Sequence, residues 1–237
     1  MTANTHKTKP ELARSENNPR HSYSLEGSDL IIASLLRNVT RGTYIDVGAN
    51  HPVVQNNTRY FYERGWSGLA IDGNNEFEKE WLELRPRDVF VPALVSSEIK
   101  NVEFVIYPDH TLSTIDGDSI ARYSSRYGGR QVHKEVRKTT TLFDLKTQYL
   151  NETEIHLLSV DVEGEDLNCL MGARLELWNP GVIVVETKHL SIYHAAENET
   201  VGYLTSVGYR MIAKTPLDAF FVFPAKDYLD WIPKTII

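Results

Sequence analysis

The sequence predicts an α/β domain in which a mostly parallel sheet of seven strands carries helices on both faces and finishes in a C-terminal antiparallel hairpin. Three observations support this fold class. Short β-rich runs alternate with helical segments, which is the order that parallel β–α–β units produce. The run Val182–Val185 is apolar throughout, as is typical of a strand buried on both faces. The last two β-rich runs are separated only by Lys214–Asp218, a connection short enough for an antiparallel pair.

The elements of the first half follow from local signals. Ser28 and Asp29 cap the first helix, Gly65 ends the second, and Pro86 stops the third. The predicted elements are helix 30–36, strand 43–47, helix 58–64, strand 68–72, helix 76–84 and the β-rich runs 88–94 and 102–107.

The second half repeats the alternation after a polar segment, 108–138, that lacks clean periodicity. The predicted elements are helix 141–149, strand 155–160, helix 165–170, strand 181–186, helix 201–207 and strands 209–213 and 219–223. A polar segment as long as 108–138 is usually functional inside a compact domain, so we expect an acceptor lid or insertion there.

Composition limits the classes of function. The 237 residues, 41% hydrophobic and 24% charged, predict a single domain over 22–237 after a loosely attached tail, 1–21. The net charge of −7 argues against nucleic-acid binding, since that binding relies on basic side chains. Basic residues are densest over Arg122–Lys138, where a solvated face is favoured over an anion site. We find no secretory signal and no apolar run of about 18–20 residues, so we expect a cytoplasmic protein without membrane insertion. The single cysteine, Cys169, excludes a disulfide framework.

Four predicted strands end in an acid: Asp46, Asp72, Asp161 and Glu186. Ligands of open α/β sheets bind at the carboxyl ends of the strands, so these acids are expected at one edge. Carboxylates buried side by side cost free energy unless a cation or hydrogen-bond donors lie among them. S-adenosylmethionine, with its sulfonium, ammonium and ribose diol, matches that edge. A parallel sheet closed by an antiparallel hairpin is also the outline of a Rossmann-like class I methyltransferase.

The turn Asp46–Asn50 is the predicted cofactor grip, including Gly48 and Ala49. Gly48 permits a sharp turn close to a ligand. Asn50 and Val53 occupy the positions of the other two glycines of a GxGxxG motif, which disfavours a pyrophosphate cofactor. Asp72 is expected to bind the ribose hydroxyls. The alternatives are a generic β–α turn and, for Asp72, a helix cap.

The segment 161–166 is the most acidic in the chain. We expect Asp161 and Glu163 to face the reaction centre, while Glu165 and Asp166 favour a helix N-terminus. A divalent metal held by Asp161, Glu163 and Glu186 is possible but not favoured, so no metal site is assigned.

Two histidines at the same edge are candidate catalytic bases, because an imidazole titrates near neutral pH. His51 follows the cofactor turn, and His189 follows Glu186, which could hold its tautomer. A structural role is the alternative for each.

Four stretches together resemble the FkbM family of methyltransferases. The first, 22–32, is similar to the family's opening "YSQ-x-GEDLIL", with Leu25 and Ser28 as departures. The second, 44–68, is very close to a branch reading "DVGANHP…FYERGWRG". Residues 112–115 resemble "LSTL", and 158–166 with 184–186 resemble "LKIDVEGAE…VVE". Gly73 stands where that branch usually has proline.

This resemblance implies methyl transfer from S-adenosylmethionine to a hydroxyl of a sugar, a glycan or a glycosylated natural product. It implies that Ala93 and Leu94 lie beside the adenine and that Asp161 lies near the methionyl end of the cofactor and the acceptor. Ser113, in the third stretch, is included among the cofactor-binding residues. Two other functions stay open: a nucleotide-dependent oxidoreductase, disfavoured by the missing glycines, and a degenerate binding module, disfavoured by the four retained acids.

Overall fold

The computed structural model describes residues 21–127, 132–188 and 190–232. Ten strands are found in this part of the chain. They are β1 (Thr43–Val47), β2 (Ser67–Asp72), β3 (Val89–Pro92), β4 (Leu94–Val95), β5 (Asn101–Ile106), β6 (His133–Thr140), β7 (Leu157–Val160), β8 (Val182–Glu186), β9 (Arg210–Lys214) and β10 (Asp218–Val222).

Seven α-helices connect or cover these strands. They are α1 (Ser28–Leu35), α2 (Arg59–Tyr62), α3 (Glu78–Leu84), α4 (Gly117–Tyr127), α5 (Leu142–Leu150), α6 (Asp166–Met171) and α7 (Glu199–Ser206). Short 3₁₀ helices lie at His110–Leu112, Leu175–Leu177, Ile192–Glu197 and Asp227–Leu229. Among the described residues, no helix combines the length and apolar character needed to cross a membrane.

The main sheet has seven strands in the order β3-β2-β1-β7-β8-β10-β9. The first five of these are parallel to their neighbours, and β10 runs antiparallel to both β8 and β9. This confirms the predicted mostly parallel sheet and its C-terminal antiparallel pair. The strand order reverses between β1 and β7, which is where open α/β sheets bind ligands.

Alternate residues of the central strands belong to two hydrophobic cores. Ile45, Leu158 and Ile183 pack on one face with residues of α5, α6 and α7. Tyr44, Leu157 and Val182 pack on the other face with residues of α1 and α2. Because both faces are covered, these strands are apolar at nearly every position, as the sequence pattern indicated.

The polar segment 108–138 contains more regular structure than its sequence suggests. It holds a 3₁₀ turn, helix α4 and most of β6, which pairs antiparallel with β5 from Asn101↔Lys138 to Ile106↔His133. Together with β4 these strands form a separate small sheet in the order β4-β6-β5. Helix α4 was not predicted because few of its side chains are buried. Ser119 and Tyr123 are the buried residues of this helix.

Candidate active site

The first strand ends in a sharp turn at the carboxyl edge of the sheet. Gly48 has φ +78° and Asn50 φ +45°, in the left-handed region that glycine adopts at least cost. A Cβ at Gly48 would lie 1.6 Å from the carbonyl oxygen of Asp161. The amides of Gly48 and Ala49 donate to the carbonyl of Ile71 at 2.9 and 3.0 Å. The glycine therefore allows the ends of β1, β2 and β7 to meet.

Asp46 lies beneath this turn and is not among the lining residues of the two cavities described below. One of its carboxylate oxygens accepts from the Thr58 hydroxyl at 2.8 Å and from the Asn56 amide at 3.3 Å. Asn56 also donates to the carbonyl of Ala49 at 3.2 Å. Burial raises the pKa of Asp46. The contacts make Asp46 a support of the turn.

Arg85 completes this buried network from the end of α3. Its guanidinium donates to Asn56 and Thr58, both at 2.9 Å, and to Asp88 at 2.7 Å. The Arg85 and Asp88 side chains are 0% and 1% exposed, so the charge pair is almost completely withdrawn from water. The network links the far end of α3 to the cofactor turn.

Ala49 and His51 also lie behind the cavities rather than in them. Nδ1 of His51 accepts the backbone N–H groups of Val53 and Val54 at 3.1 and 3.0 Å. Its ring meets the edge of Phe77 with centroids 5.2 Å apart. This arrangement gives His51 a role in holding the loop. The other candidate base, His189, lies outside the described residues.

A first cavity opens beside the turn. Gly48, Asn50, Asp72, Ser113 and Asp161 all contribute to its lining. Its apolar lining includes Ile71, Ala93, Leu94, Val95 and Phe104. The structure thus brings most of the predicted cofactor residues together around one space.

Asp72 lies at the end of β2, and each of its oxygens already accepts one backbone N–H. Asn50 donates to one oxygen at 2.8 Å and Asn74 to the other at 2.7 Å. A carboxylate has about four acceptor positions, so both oxygens keep capacity for a ligand. Burial raises the pKa of Asp72 to about 6 despite these two hydrogen bonds.

A second cavity adjoins the first. Gly48, Asn50, Thr111, Asp161 and Glu163 line both, so the two spaces meet at these residues. The second cavity is otherwise lined by Leu25, Glu26, Val54, Gln55, Asn57, Leu112, Glu186, Lys188, Leu217 and Asp218. Its mixture of carboxylates, amides and aliphatic rim residues suits a polar acceptor.

Asp161 lies at the junction of the two cavities. Among the described residues, no side chain or backbone group donates a hydrogen bond to its carboxylate. The residue is exposed and lines both cavities. Desolvation and the neighbouring carboxylates Glu186, Asp166 and Glu163 together raise the pKa of Asp161 well above its usual range.

Glu163 is buried between the cavities and fully partnered. The Tyr123 hydroxyl donates to it at 2.5 Å, and Lys188 Nζ lies 3.0 Å from both of its oxygens. Its backbone is held at φ +51°, and its carbonyl accepts from Thr114 at 2.8 Å. Burial and the Glu163 carboxylate raise the pKa of Tyr123 to about 12.

Glu186, at the end of β8, completes the group of acids. It forms an ion pair with Lys188 at 2.7 Å, and burial together with Glu163 raises its pKa to about 7. One oxygen from each of Asp161, Glu163 and Glu186 lies within 4.8 Å of the others, a spacing that a cation could bridge. Lys188 already contacts two of the three.

Sequence reasoning missed several residues of this site. Lys188 carried a usable signal, since it stands two positions after a strand-end acid. Phe104 and Tyr123 carried none, because the small sheet and α4 bring them to the edge from distant segments. Glu26 and Asp218, which line the second cavity, were also missed. The backbone amide of Leu217, the residue before Asp218, donates to Glu26 at 2.9 Å.

The chain matches a protein-family model. The model described as the methyltransferase FkbM domain matches residues 46–211, which is more than two thirds of the 237-residue chain. The matched span includes the cofactor turn, Asp72 and the acids at the ends of β7 and β8, and it ends at the start of β9. No curated protein matches the chain at a significant level.

Proposed function

Because the chain belongs to the FkbM methyltransferase family, we propose that it transfers a methyl group from S-adenosylmethionine to a hydroxyl of a sugar, a glycan or a glycosylated natural product. Membership of the family makes the chain a methyltransferase. The donor, the acceptor class and the residues involved are our proposal, argued below from the two cavities. We also propose that the protein acts in the cytoplasm.

The charge of the first cavity is the observation that supports S-adenosylmethionine as the methyl donor. Four carboxylates are among its described lining residues, and none of those residues is lysine or arginine. The carboxylates are Asp72, Asp161, Glu163 and Glu165. A dinucleotide brings phosphates, which carboxylates repel, whereas S-adenosylmethionine brings a sulfonium and an ammonium. The cavity therefore favours the cationic cofactor.

The remaining lining residues fit the other parts of that cofactor. The free acceptor positions of Asp72 suit the two ribose hydroxyls, and the apolar wall formed by residues including Ala93, Leu94 and Phe104 suits the adenine. When bound, S-adenosylmethionine supplies an electrophilic methyl group on its sulfonium. Asp46 and Ala49 act indirectly, by holding the turn that carries Gly48 and Asn50.

The second cavity is the proposed acceptor site. Asn57 and Gln55 offer amides to sugar hydroxyls, and Leu25, Val54 and Leu112 form an aliphatic rim. Thr111 and Leu112 come from the segment 108–138, which supports its interpretation as part of the acceptor pocket. Holding acceptor and donor in line can lower the barrier by about 7–11 kcal/mol.

Asp161 is the proposed catalytic base. It lies where the cavities meet, its carboxylate has no hydrogen-bond donor among the described residues, and its raised pKa makes it a better proton acceptor than an ordinary aspartate. In this arrangement Asp161 takes the proton of the acceptor hydroxyl as the oxygen attacks. Glu163, fixed by Tyr123 and Lys188, shapes the junction.

Calorimetric titration with S-adenosylmethionine, S-adenosylhomocysteine and NAD tests the choice of cofactor. We expect binding of the first two, no binding of NAD, and loss of binding in Asp72→Asn. Asp144→Asn, on the exposed face of α5, is the matched control and should bind normally. Binding of NAD alone would favour the oxidoreductase, and binding of none of the three would favour a degenerate module.

Labelled methyl donor tests the acceptor class. Incubation with glycan extracts should give labelled sugar, and the label should be absent from protein and nucleic acid fractions. Label found only in protein or nucleic acid would contradict the proposed acceptor class while leaving methyl transfer itself intact.

A further inference from the structure

Lys188 pairs with two of the three acids, Asp161, Glu163 and Glu186, that line the second cavity together. Its Nζ lies 3.0 Å from both oxygens of Glu163 and 2.7 Å from an oxygen of Glu186. The side chain is 28% exposed and lines the acceptor cavity. It follows β8 by two residues, so the sheet edge fixes its position.

The side chains that contact the Lys188 ammonium are acidic. Asp161, Glu163 and Glu186 present oxygens within 4.8 Å of one another, and Asp166 adds to the negative potential at Asp161 and Glu186. Tyr123, from α4, contributes a neutral hydroxyl to Glu163. Among the described residues lining the acceptor cavity, Lys188 is the only lysine or arginine.

Three carboxylates at this spacing form a ligand set of the kind that hard divalent cations use. An ammonium and a divalent ion would compete for the same oxygens of Glu163 and Glu186. The ammonium has the advantage of being covalently attached: it donates hydrogen bonds to both oxygens of Glu163 and forms a close ion pair with Glu186. The presence of Lys188 therefore changes what this cluster can bind.

We propose that Lys188 is the resident cation of the active site: it holds the side chains of Glu163 and Glu186 in place and makes methyl transfer independent of a divalent metal. Lys188 acts here as a positioning residue. The part concerning transfer rests on the proposed function, whereas the part concerning metal binding does not.

The proposal also explains why Asp161 is left to act on the acceptor. Glu163 and Glu186 form ion pairs with the Lys188 ammonium. Asp161 has no such contact among the described residues. Lys188 itself keeps its proton, because its pKa is raised by the two carboxylates it contacts. It is therefore excluded as the base.

Manganese binding to the full chain, followed by electron paramagnetic resonance, tests the proposal without any need for activity. The wild type and Lys188→Arg should show no saturable Mn²⁺ site. Lys188→Gln should gain one site, and the double variant Lys188→Gln/Glu186→Gln should lose it again. Lys226→Gln is the matched control, since Lys226 forms its ion pair with the distant Glu154 at 2.8 Å.

Methyl transfer with and without a chelator is the second arm. The wild type and Lys226→Gln should keep full activity in the chelator. Lys188→Gln should lose at least tenfold in kcat with a smaller change in the KM for the cofactor, and Lys188→Arg should recover part of the loss.

A stoichiometric Mn²⁺ site in the wild type, or loss of wild-type activity in the chelator, would overturn the proposal. A folded Lys188→Gln that gains no Mn²⁺ site would overturn it as well. The wild-type metal titration keeps the test decisive if Lys188→Gln does not fold. Absence of any methyl transfer in the wild type would refute the proposed function. The metal titration would still test whether Lys188 excludes a divalent cation, because it does not depend on activity.

Discussion

At the scale of single residues, the strand-end acids have different roles because their surroundings differ. Asp46 is enclosed by donors beneath the turn, and Asp72 is held by two backbone amides. Glu186 is paired with an ammonium. Asp161 faces the junction of the cavities without a partner among the described residues. Position at a strand end brings the acids to the same edge, and the local contacts decide what each can do.

Asp161→Asn should lower kcat by roughly 10²–10⁴-fold, because the variant cannot accept the hydroxyl proton. Single-turnover transfer of a labelled methyl group measures this, with Asp144→Asn as the control. Wild-type activity should also fall toward acid pH, because protonation of Asp161 removes the base. Since the pKa of Asp161 is raised, this loss should begin at a higher pH than it would for an ordinary aspartate. A folded Asp161→Asn with near-normal kcat would exclude Asp161 as the base.

Arg85→Met should cost about 3–5 kcal/mol of unfolding free energy, because it leaves Asp88 buried without its partner. Urea denaturation measures this change. Arg87→Met is the comparison, since Arg87 is an exposed residue and its loss should cost less than about 1 kcal/mol. Equal effects of the two variants would show that the buried network contributes little.

At the scale of elements, the cofactor turn and helix α7 give opposite expectations for the same substitution. Gly48→Ala combines a positive φ with a contact of 1.6 Å to backbone, so the ends of β1 and β7 must move apart. We expect a loss of about 3 kcal/mol or more and loss of cofactor binding.

Gly202→Ala, inside α7, meets nothing within 4 Å. Alanine is favoured over glycine in a helix by about 0.8–1 kcal/mol, so this variant should be more stable than the wild type. Thermal unfolding of both variants measures the contrast. A stabilised Gly48→Ala would contradict the described geometry of the turn.

At the scale of the whole molecule, the buried acids make stability depend on pH. The folded-state pKa is about 6 for Asp72 and Asp166 and about 7 for Glu186, above the ~3.9–4.3 of unfolded acids. The folded state therefore binds these protons more tightly. Their contribution is fully present below about pH 4 and is lost as the pH rises to about 7.

We expect the unfolding free energy to fall by roughly 2 kcal/mol or more over this interval. The lowered pKa values of Glu154 and His156 act in the opposite direction but involve fewer groups. Urea denaturation at several pH values measures the slope. Stability that rises steadily from pH 4 to 7 would contradict the burial of these acids.

The second cavity, as the proposed acceptor site, should also select substrates by charge. Five carboxylates and one ammonium are among its lining residues, the carboxylates being Glu26, Asp161, Glu163, Glu186 and Asp218. A neutral sugar should therefore be methylated at least about tenfold more efficiently than its phosphate monoester at low salt. The ratio of kcat/KM measures this, and it should shrink as salt screens the charges. Preference for the phosphorylated acceptor would contradict the assignment of this acidic cavity as the acceptor site.

Much of the main sheet could be predicted because its signals are local. The predicted strand 43–47 coincides with β1, and the predicted strands 181–186, 209–213 and 219–223 lie within one residue of β8, β9 and β10. Burial on both faces leaves a continuous apolar run in the sequence itself. The small sheet could not be assembled in this way, because β6 alternates exposed and half-buried residues and joins β5 across some thirty residues.

The sequence by itself determined the alternation of strands and helices, the glycine of the cofactor turn and the acids at the strand ends, since each depends on the conformation of a few consecutive residues. Only the tertiary structure decided which of these residues face a ligand. It placed Asp46, Ala49 and His51 behind the cavities, brought Phe104 and Tyr123 to them from remote segments, and set Lys188 between Glu163 and Glu186. The physical reason is that hydrogen-bond partners and desolvation depend on distances between chain segments, which local sequence patterns do not encode.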